Sequence, residues 1–134
     1  MKKIVFINFL FVLCVLFTSC SKDQRTLINT SWKVESLKAH ADSIWQYPTP
    51  TDIYVVLKFE NNNRYSFIYC HGKVRLMKNG EISFRNRTCD LPGAPDFTLQ
   101  CDRIFYKTTH YELFDNKFIL KGASGEIINF IKIE

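Results

Sequence analysis

Apolar and polar residues alternate along residues 31–38 (SWKVESLK), with Trp32, Val34 and Ser36 on one side and Lys33 and Glu35 on the other. A period of two predicts a strand with one face turned inward. Residues 40–52 carry Pro48 and Pro50 and read as a loop. Residues 53–59 are nearly all apolar or aromatic and predict a second strand, ended by the Asn61, Asn62, Asn63 turn. Residues 65–69 predict the next strand, with Cys70 closing its apolar run and Gly72 breaking the chain before another strand at 73–77. Asn79-Gly80 is a tight-hairpin pair, and residues 81–85 continue as strand with Ile82 and Phe84 on one face.

The period then changes. After the break at residues 91–95, apolar residues fall at Phe97, Cys101, Ile104 and Phe105, which predicts a helix over 96–107 with Pro95 at its first turn. Strands resume at 111–114, 117–121 and 127–133, separated by turns at Asp115-Asn116 and at residues 122–125. The pattern therefore predicts a mainly β (α+β) chain of about seven or eight short antiparallel strands and one helix.

The first apolar run is of a different kind. Residues 4–17 are apolar except for Asn8 and follow Lys2 and Lys3. As a helix this run would span roughly 21 Å, short of the roughly 30 Å hydrocarbon core, so it reads as an export leader rather than a permanent span. The leader ends in Leu16-Phe17-Thr18-Ser19-Cys20 and passes at once to polar Ser21-Lys22-Asp23-Gln24-Arg25. This resembles the bacterial lipobox. The resemblance implies cleavage before Cys20 and a diacylglyceryl thioether on its sulfur. The alternative is an ordinary leader with a chance cysteine. Residues 1–19 are then the signal peptide, 20–27 a short polar lipidated tether, and 28–134 the folded domain. Two acyl chains suffice for stable anchoring.

Composition refines this picture. Hydrophobic residues make up 46% and aromatics 15% of 134 residues, which favours one folded domain over disorder. Removing Lys2 and Lys3 lowers the formal charge of +5 to about +3, and the remaining basic residues are scattered in sequence, so no nucleic-acid partner is expected. Export leaves Cys70, Cys89 and Cys101. Cys70 and Cys89 both sit near strand ends, and a disulfide between them, closing a loop of about twenty residues, would contribute roughly 3 kcal/mol. Cys101 on the helix is expected as the unpaired thiol. Three buried free thiols are the alternative.

The order of segments resembles the META domain of HslJ-like lipoproteins. Asn29-Thr30-Ser31-Trp32-Lys33-Val34 is similar to its opening Gly-Thr-x-Trp-x-Leu strand, and Val56-Leu57-Lys58-Phe59 to its leucine-x-phenylalanine strand. Cys70 matches the cysteine of its Gly-Cys-Asn segment, with His71 in place of the asparagine. Asn79-Gly80-Glu81-Ile82-Ser83-Phe84 is similar to its Gly-x-Leu-x-Phe hairpin, and Arg87-Thr88-Cys89 stands where the family has Thr-x-Met-Ala-Cys. Tyr111, Leu120, Gly125 and Phe130 fit its closing portion. The resemblance implies a small curved antiparallel sheet or partly open barrel with one packed helix. It also implies a role in envelope maintenance or stress tolerance, without an established enzyme activity.

No catalytic set emerges. His40, His71 and His110 are dispersed, and Cys70-His71 lacks the spacing of a metal site. Gly122-Ala123-Ser124-Gly125 reads as a hairpin turn, because a nucleophile elbow needs Gly-x-Ser-x-Gly between strand and helix. Asp90, Asp96 and Asp102 fall near the helix start, where carboxylates meet the positive end of its dipole. No cofactor or metal is expected. Trp45 and Tyr47 in the proline-bearing loop are the candidate contact for an envelope protein or glycan partner, the alternative being that both fold over the barrel end. The expected function is that of a lipid-anchored, non-enzymatic envelope domain on the outer membrane, facing the periplasm. The alternatives are an inhibitor of a lysozyme or protease and a lipocalin-like carrier of an apolar ligand.

Overall fold

In a computed structural model, residues 22–133 are described apart from 53, 54, 91, 92 and 94. The elements are α1 (Lys22–Leu27), β1 (Thr30–Lys38), β2 (Val56–Glu60), β3 (Arg64–Phe67), β4 (Cys70–Leu76), β5 (Ile82–Cys89), α2 (Asp96–Phe105), β6 (Thr108–Leu113), β7 (Lys117–Gly122) and β8 (Ile127–Lys132). The strands form one antiparallel sheet in the order β5-β4-β3-β2-β1-β8-β7-β6. The sheet curls until its outer strands touch, where Tyr111 N–H donates to Gly80 O at 2.8 Å and Glu81 bridges His110. This is the partly open barrel with one packed helix that the sequence predicts.

Antiparallel pairing sorts the connections to two ends. The near end holds the start of β1, the turns after β2, β4 and β6, and the end of β8. The far end holds the long loop after β1, the turns after β3 and β7, and the end of β5. The nine residues of β1 separate the two ends by roughly 30 Å at about 3.3 Å per residue.

Inward positions carry large apolar side chains. Trp32, Tyr65, Phe67, Phe105, Phe118 and Phe130 are all fully buried and fill the interior. Phe67 stacks on Phe105 with ring centroids 4.2 Å apart, and Phe118 meets Trp32 at 5.7 Å and Phe130 at 5.9 Å. Each such burial contributes roughly 1.5–3 kcal/mol. Among the described residues the core cluster runs from Leu27 to Phe130.

Several boundaries differ from the sequence pattern. In β1 the register shifts between Val34 and Ser36, and this bulge turns Leu37 inward along with Trp32 and Val34. Gly72 does not break a strand; it lies inside β4. There an added Cβ would stand 2.4 Å from Arg85 O, so the crossing of β4 and β5 admits only glycine. The turn lies instead at Ile68-Tyr69, with Ile68 at φ 57°, and Cys70 opens β4 rather than closing β3. β5 runs on to Cys89 although its second half is polar, because that half is exposed at the sheet edge. Helix α2 ends at Phe105, two residues early, and Thr108 Oγ1 then donates to Phe105 O at 2.6 Å.

The segment expected as a polar tether over 20–27 is helical from Lys22 to Leu27, and Leu27 is buried in the core. Leu27 is the one apolar residue among positions 21–27, and it packs against the near end of the barrel. Cys20 and the leader lie outside the described residues.

Candidate functional site

The 40–52 loop crosses the far end and is held at several points. Leu37 and Gln46 exchange two backbone hydrogen bonds of 2.9 Å, and Ala41 N–H donates to Ser124 O at 3.1 Å in the β7–β8 turn. Gly125 makes that approach possible. Its φ is +87°, and a Cβ there would fall 2.6 Å from Ala41 N. His40 N–H donates to Ser43 Oγ at 3.0 Å. At the loop's end Asp52 accepts from Thr49 N–H at 2.9 Å, from Thr49 Oγ1 at 2.6 Å and from Thr98 Oγ1 of α2 at 3.1 Å. Burial alone would push the Asp52 carboxyl up, but these donors together hold it below its ordinary value.

This frame presents apolar surface to solvent. Ile44 is 80%, Tyr47 64% and Trp45 39% exposed, with Lys38 Nζ 5.6 Å from the Trp45 ring centroid. Tyr47 therefore does not fold over the barrel end, and Trp45 does so only in part. Beside the loop lies a cleft of about 150 Å³ lined by Thr51, Asp52, Val55, Ile68, Tyr69, Pro95 and Thr98. It is smaller than the roughly 300 Å³ at which small-molecule pockets begin.

A second constellation lies where side chains of α2 meet β4 and β5. Cys70 and Cys89 are direct cross-strand partners and form a disulfide, while Cys101 is a buried free thiol, as the sequence predicts. Arg87, two residues before Cys89, lies on the same face of β5. Its Nε–H points to Cys89 Sγ at 2.8 Å, Nη2 pairs with Asp102 Oδ2 at 2.7 Å, and the guanidinium lies 4.0 Å over the Tyr106 ring. The Tyr106 and Tyr65 hydroxyls are 3.0 Å apart. Asp102 Oδ1 lies 3.6 Å from Cys70 Sγ. Because that sulfur is bonded to Cys89 it has no proton, and the approach is a contact rather than a hydrogen bond.

Asp102 thus corrects the expectation of three carboxylates at the helix start. It sits in the second half of α2, and only Asp96 occupies the first turn. The network was missed in sequence, although its signals exist: Arg87 and Cys89 share a strand face, and Asp102 and Tyr106 are four apart across the end of α2.

The chemistry of this cluster is that of a satisfied polar core. Burial pushes the Cys101 thiol, the Tyr65 hydroxyl and the Tyr106 hydroxyl up, so all three stay protonated at neutral pH. Histidines 40, 71 and 110 lie in the far loop, on β4 and on β6. Among the described residues no group of three or more His, Cys, Asp or Glu side chains could hold a metal. Ser124 sits in the β7–β8 turn, its N–H donating to Glu126 Oε2 at 2.9 Å. Among the described residues no helix is long and apolar enough to cross a membrane.

No protein-family model matches the sequence, and neither does any curated protein. Two solved structures share the fold. A protein from Burkholderia xenovorans, determined by NMR, superposes with a TM-score of 0.61 at 16% identity, over 81% of this chain and 85% of its own. A DUF4847 family protein from Bacteroides vulgatus superposes with a TM-score of 0.61 at 12% identity, over 81% of this chain and 95% of its own.

Proposed function

We propose that the chain is a lipid-anchored, non-enzymatic envelope domain that binds a partner through the far-end loop. The observation that carries this reading is the display of Ile44, Trp45 and Tyr47 on a loop pinned at both ends, roughly 30 Å along β1 from the near end. The tether to Cys20 joins at the near end, so an anchored barrel presents this loop away from its membrane. The Cys70–Cys89 disulfide suits an oxidising compartment, and the mixed charge of residues 21–25 favours the outer membrane, periplasmic side. The resemblance to META-domain lipoproteins is part of the same proposal and rests on the sequence segments named for it.

A carrier needs an interior cavity of several hundred Å³. Here the interior is occupied by Trp32, Phe67, Phe118 and Phe130, and the larger concavities, of about 330 and 530 Å³, lie on the outer face of the sheet. The inhibitor reading uses the same loop, and its pinned backbone favours it over the carrier.

The test is photo-crosslinking in intact cells, with a photoreactive amino acid at position 47. A discrete adduct is expected that weakens in a Trp45→Ala background. Phe114 is 54% exposed in the near-end turn after β6 and serves as control position. Adducts identical to those from position 114 would overturn the reading.

A further inference from the structure

The outer face of β3, β4 and β5 collects cations that are far apart in sequence. Arg64 pairs in register with Lys73, and Lys73 with Arg85, so the three stand side by side across the strands. Arg75 lies two residues further along β4, and Lys58 lies two residues before Glu60 on β2. All five are exposed. Like charges directly opposite each other are unfavourable in a sheet. Among the described residues no carboxylate forms an ion pair with Arg64, Lys73, Arg75 or Arg85, and Glu60 is the acid at the end of the row, opposite Arg64. An open concavity of about 330 Å³ lies over the row, lined by Asn63, Lys73, Val74, Arg75, Leu76 and Arg85.

The row begins where the chain joins the barrel. Leu27 packs at the near end beside Phe59, Glu60, Asn63 and Arg64. From Cys20 to Leu27 the reach is short. Helix α1 spans roughly 9 Å, and the two links before it add at most about 7 Å. A lipid on Cys20 therefore holds Leu27 within roughly 16 Å of the membrane surface. Neighbouring strands are about 4.8 Å apart, so the whole row lies about 10 Å across, comparable to the screening length of about 8 Å in physiological salt.

We infer that Arg64, Lys73 and Arg85, with Arg75, form a docking face for anionic phospholipid headgroups of the leaflet that holds the anchor. The inference rests on the anchored reading for its geometry. The unpaired cations account for the partner's sign, and the short tether accounts for which surface they meet. Bound headgroups relieve the repulsion within the row and hold this outer face of β3–β5 against the leaflet, with the far-end loop clear of the docked face.

The experiment is cosedimentation of the domain, residues 21–134, with vesicles rich in phosphatidylglycerol or made of phosphatidylcholine alone. Each basic residue at an anionic surface raises partitioning roughly fivefold, so Arg64→Gln/Lys73→Gln/Arg85→Gln should bind the anionic vesicles roughly a hundredfold more weakly. Arg103→Gln/Lys107→Gln/Lys121→Gln removes the same charge at the far end and should bind as wild type. Lys73→Glu places an acid between Arg64 and Arg85, relieves the row without loss of fold, and should also lose binding. Equal loss in the Arg103/Lys107/Lys121 control, or no preference for anionic vesicles, overturns the inference. Palmitate labelling of the full chain separates the two ideas: a labelled chain whose domain ignores vesicles sinks the docking face alone, and an unlabelled chain whose domain binds them sinks the anchor alone.

Discussion

Removing the Cys70–Cys89 cross-link tests the energetic account of the far end. The bond spans a sequence separation of 19 and joins two strands that are already neighbours, so its main effect is on the unfolded chain. Closing a loop of about 20 residues restricts that chain by about 3 kcal/mol. The variant Cys70→Ala/Cys89→Ala should therefore lose about 3 kcal/mol in urea denaturation, and its melting temperature should fall by about 12 °C or more. The slope of free energy against urea should rise, since an uncrosslinked unfolded chain exposes more surface. Cys70 is 2% exposed and faces the Asp102 carboxylate, while Cys89 is only half-buried. A thiolate reductant must attack Cys89 and expel a Cys70 thiolate beside that carboxylate, so reduction of the native protein should be slow until it unfolds. An unchanged urea midpoint in the double variant, or rapid reduction of the folded protein, would refute this reasoning.

Other consequences follow from the same structure. Arg87→Ala strands the Asp102 carboxylate, whose side chain is 10% exposed against 38% for Arg87. The solvent reaching Arg87 lowers the expected cost from the 3–5 kcal/mol of a fully buried pair to about 2 kcal/mol. Arg87→Ala/Asp102→Asn, which leaves no bare charge, should be more stable than Arg87→Ala alone when both are unfolded in urea. Alkali acts through Cys101, Tyr65 and Tyr106, whose ordinary values are 9.0, 10.0 and 10.0 and which burial raises in the fold. The unfolded chain releases these protons first. The stability they support is complete below those ordinary values and declines as pH rises above them. Melting temperature should fall across this alkaline range, less steeply in Tyr65→Phe/Tyr106→Phe; a flat profile would contradict the burial argument.

Strand existence was legible because one face of each strand is buried, and the period-two signal at Trp32 and Val34 and at Ile82 and Phe84 follows from that. Where alternation lapses, pattern reading lapsed too. The bulge in β1 inserts a residue that no local signal marks. Gly72 looks like a breaker but is a close backbone approach, and the difference depends on Arg85, thirteen positions away. The disulfide was legible from two cysteines near strand ends, although Cys70 proved to begin its strand. Helix α2 was legible from Phe97, Cys101, Ile104 and Phe105. Arg87 and Asp102 are an ordinary basic and an ordinary acidic residue until the chain folds, and their meeting is a tertiary fact. The same holds for Arg64, Lys73 and Arg85, which are scattered in sequence and adjacent only in register. Trp45 and Tyr47 were legible as candidates from their place beside prolines, but their exposure depends on how Leu37, Gln46, Ala41 and Ser124 hold the loop.

The placement of one barrel end toward a membrane and the other toward a partner depends on lipid at Cys20. Metabolic labelling with radioactive or clickable palmitate, comparing the full chain with its Cys20→Ala variant, measures that modification directly. The account predicts a labelled wild-type band in the membrane fraction and no label on the variant; equal labelling of the two, or an unlabelled wild type, would contradict it.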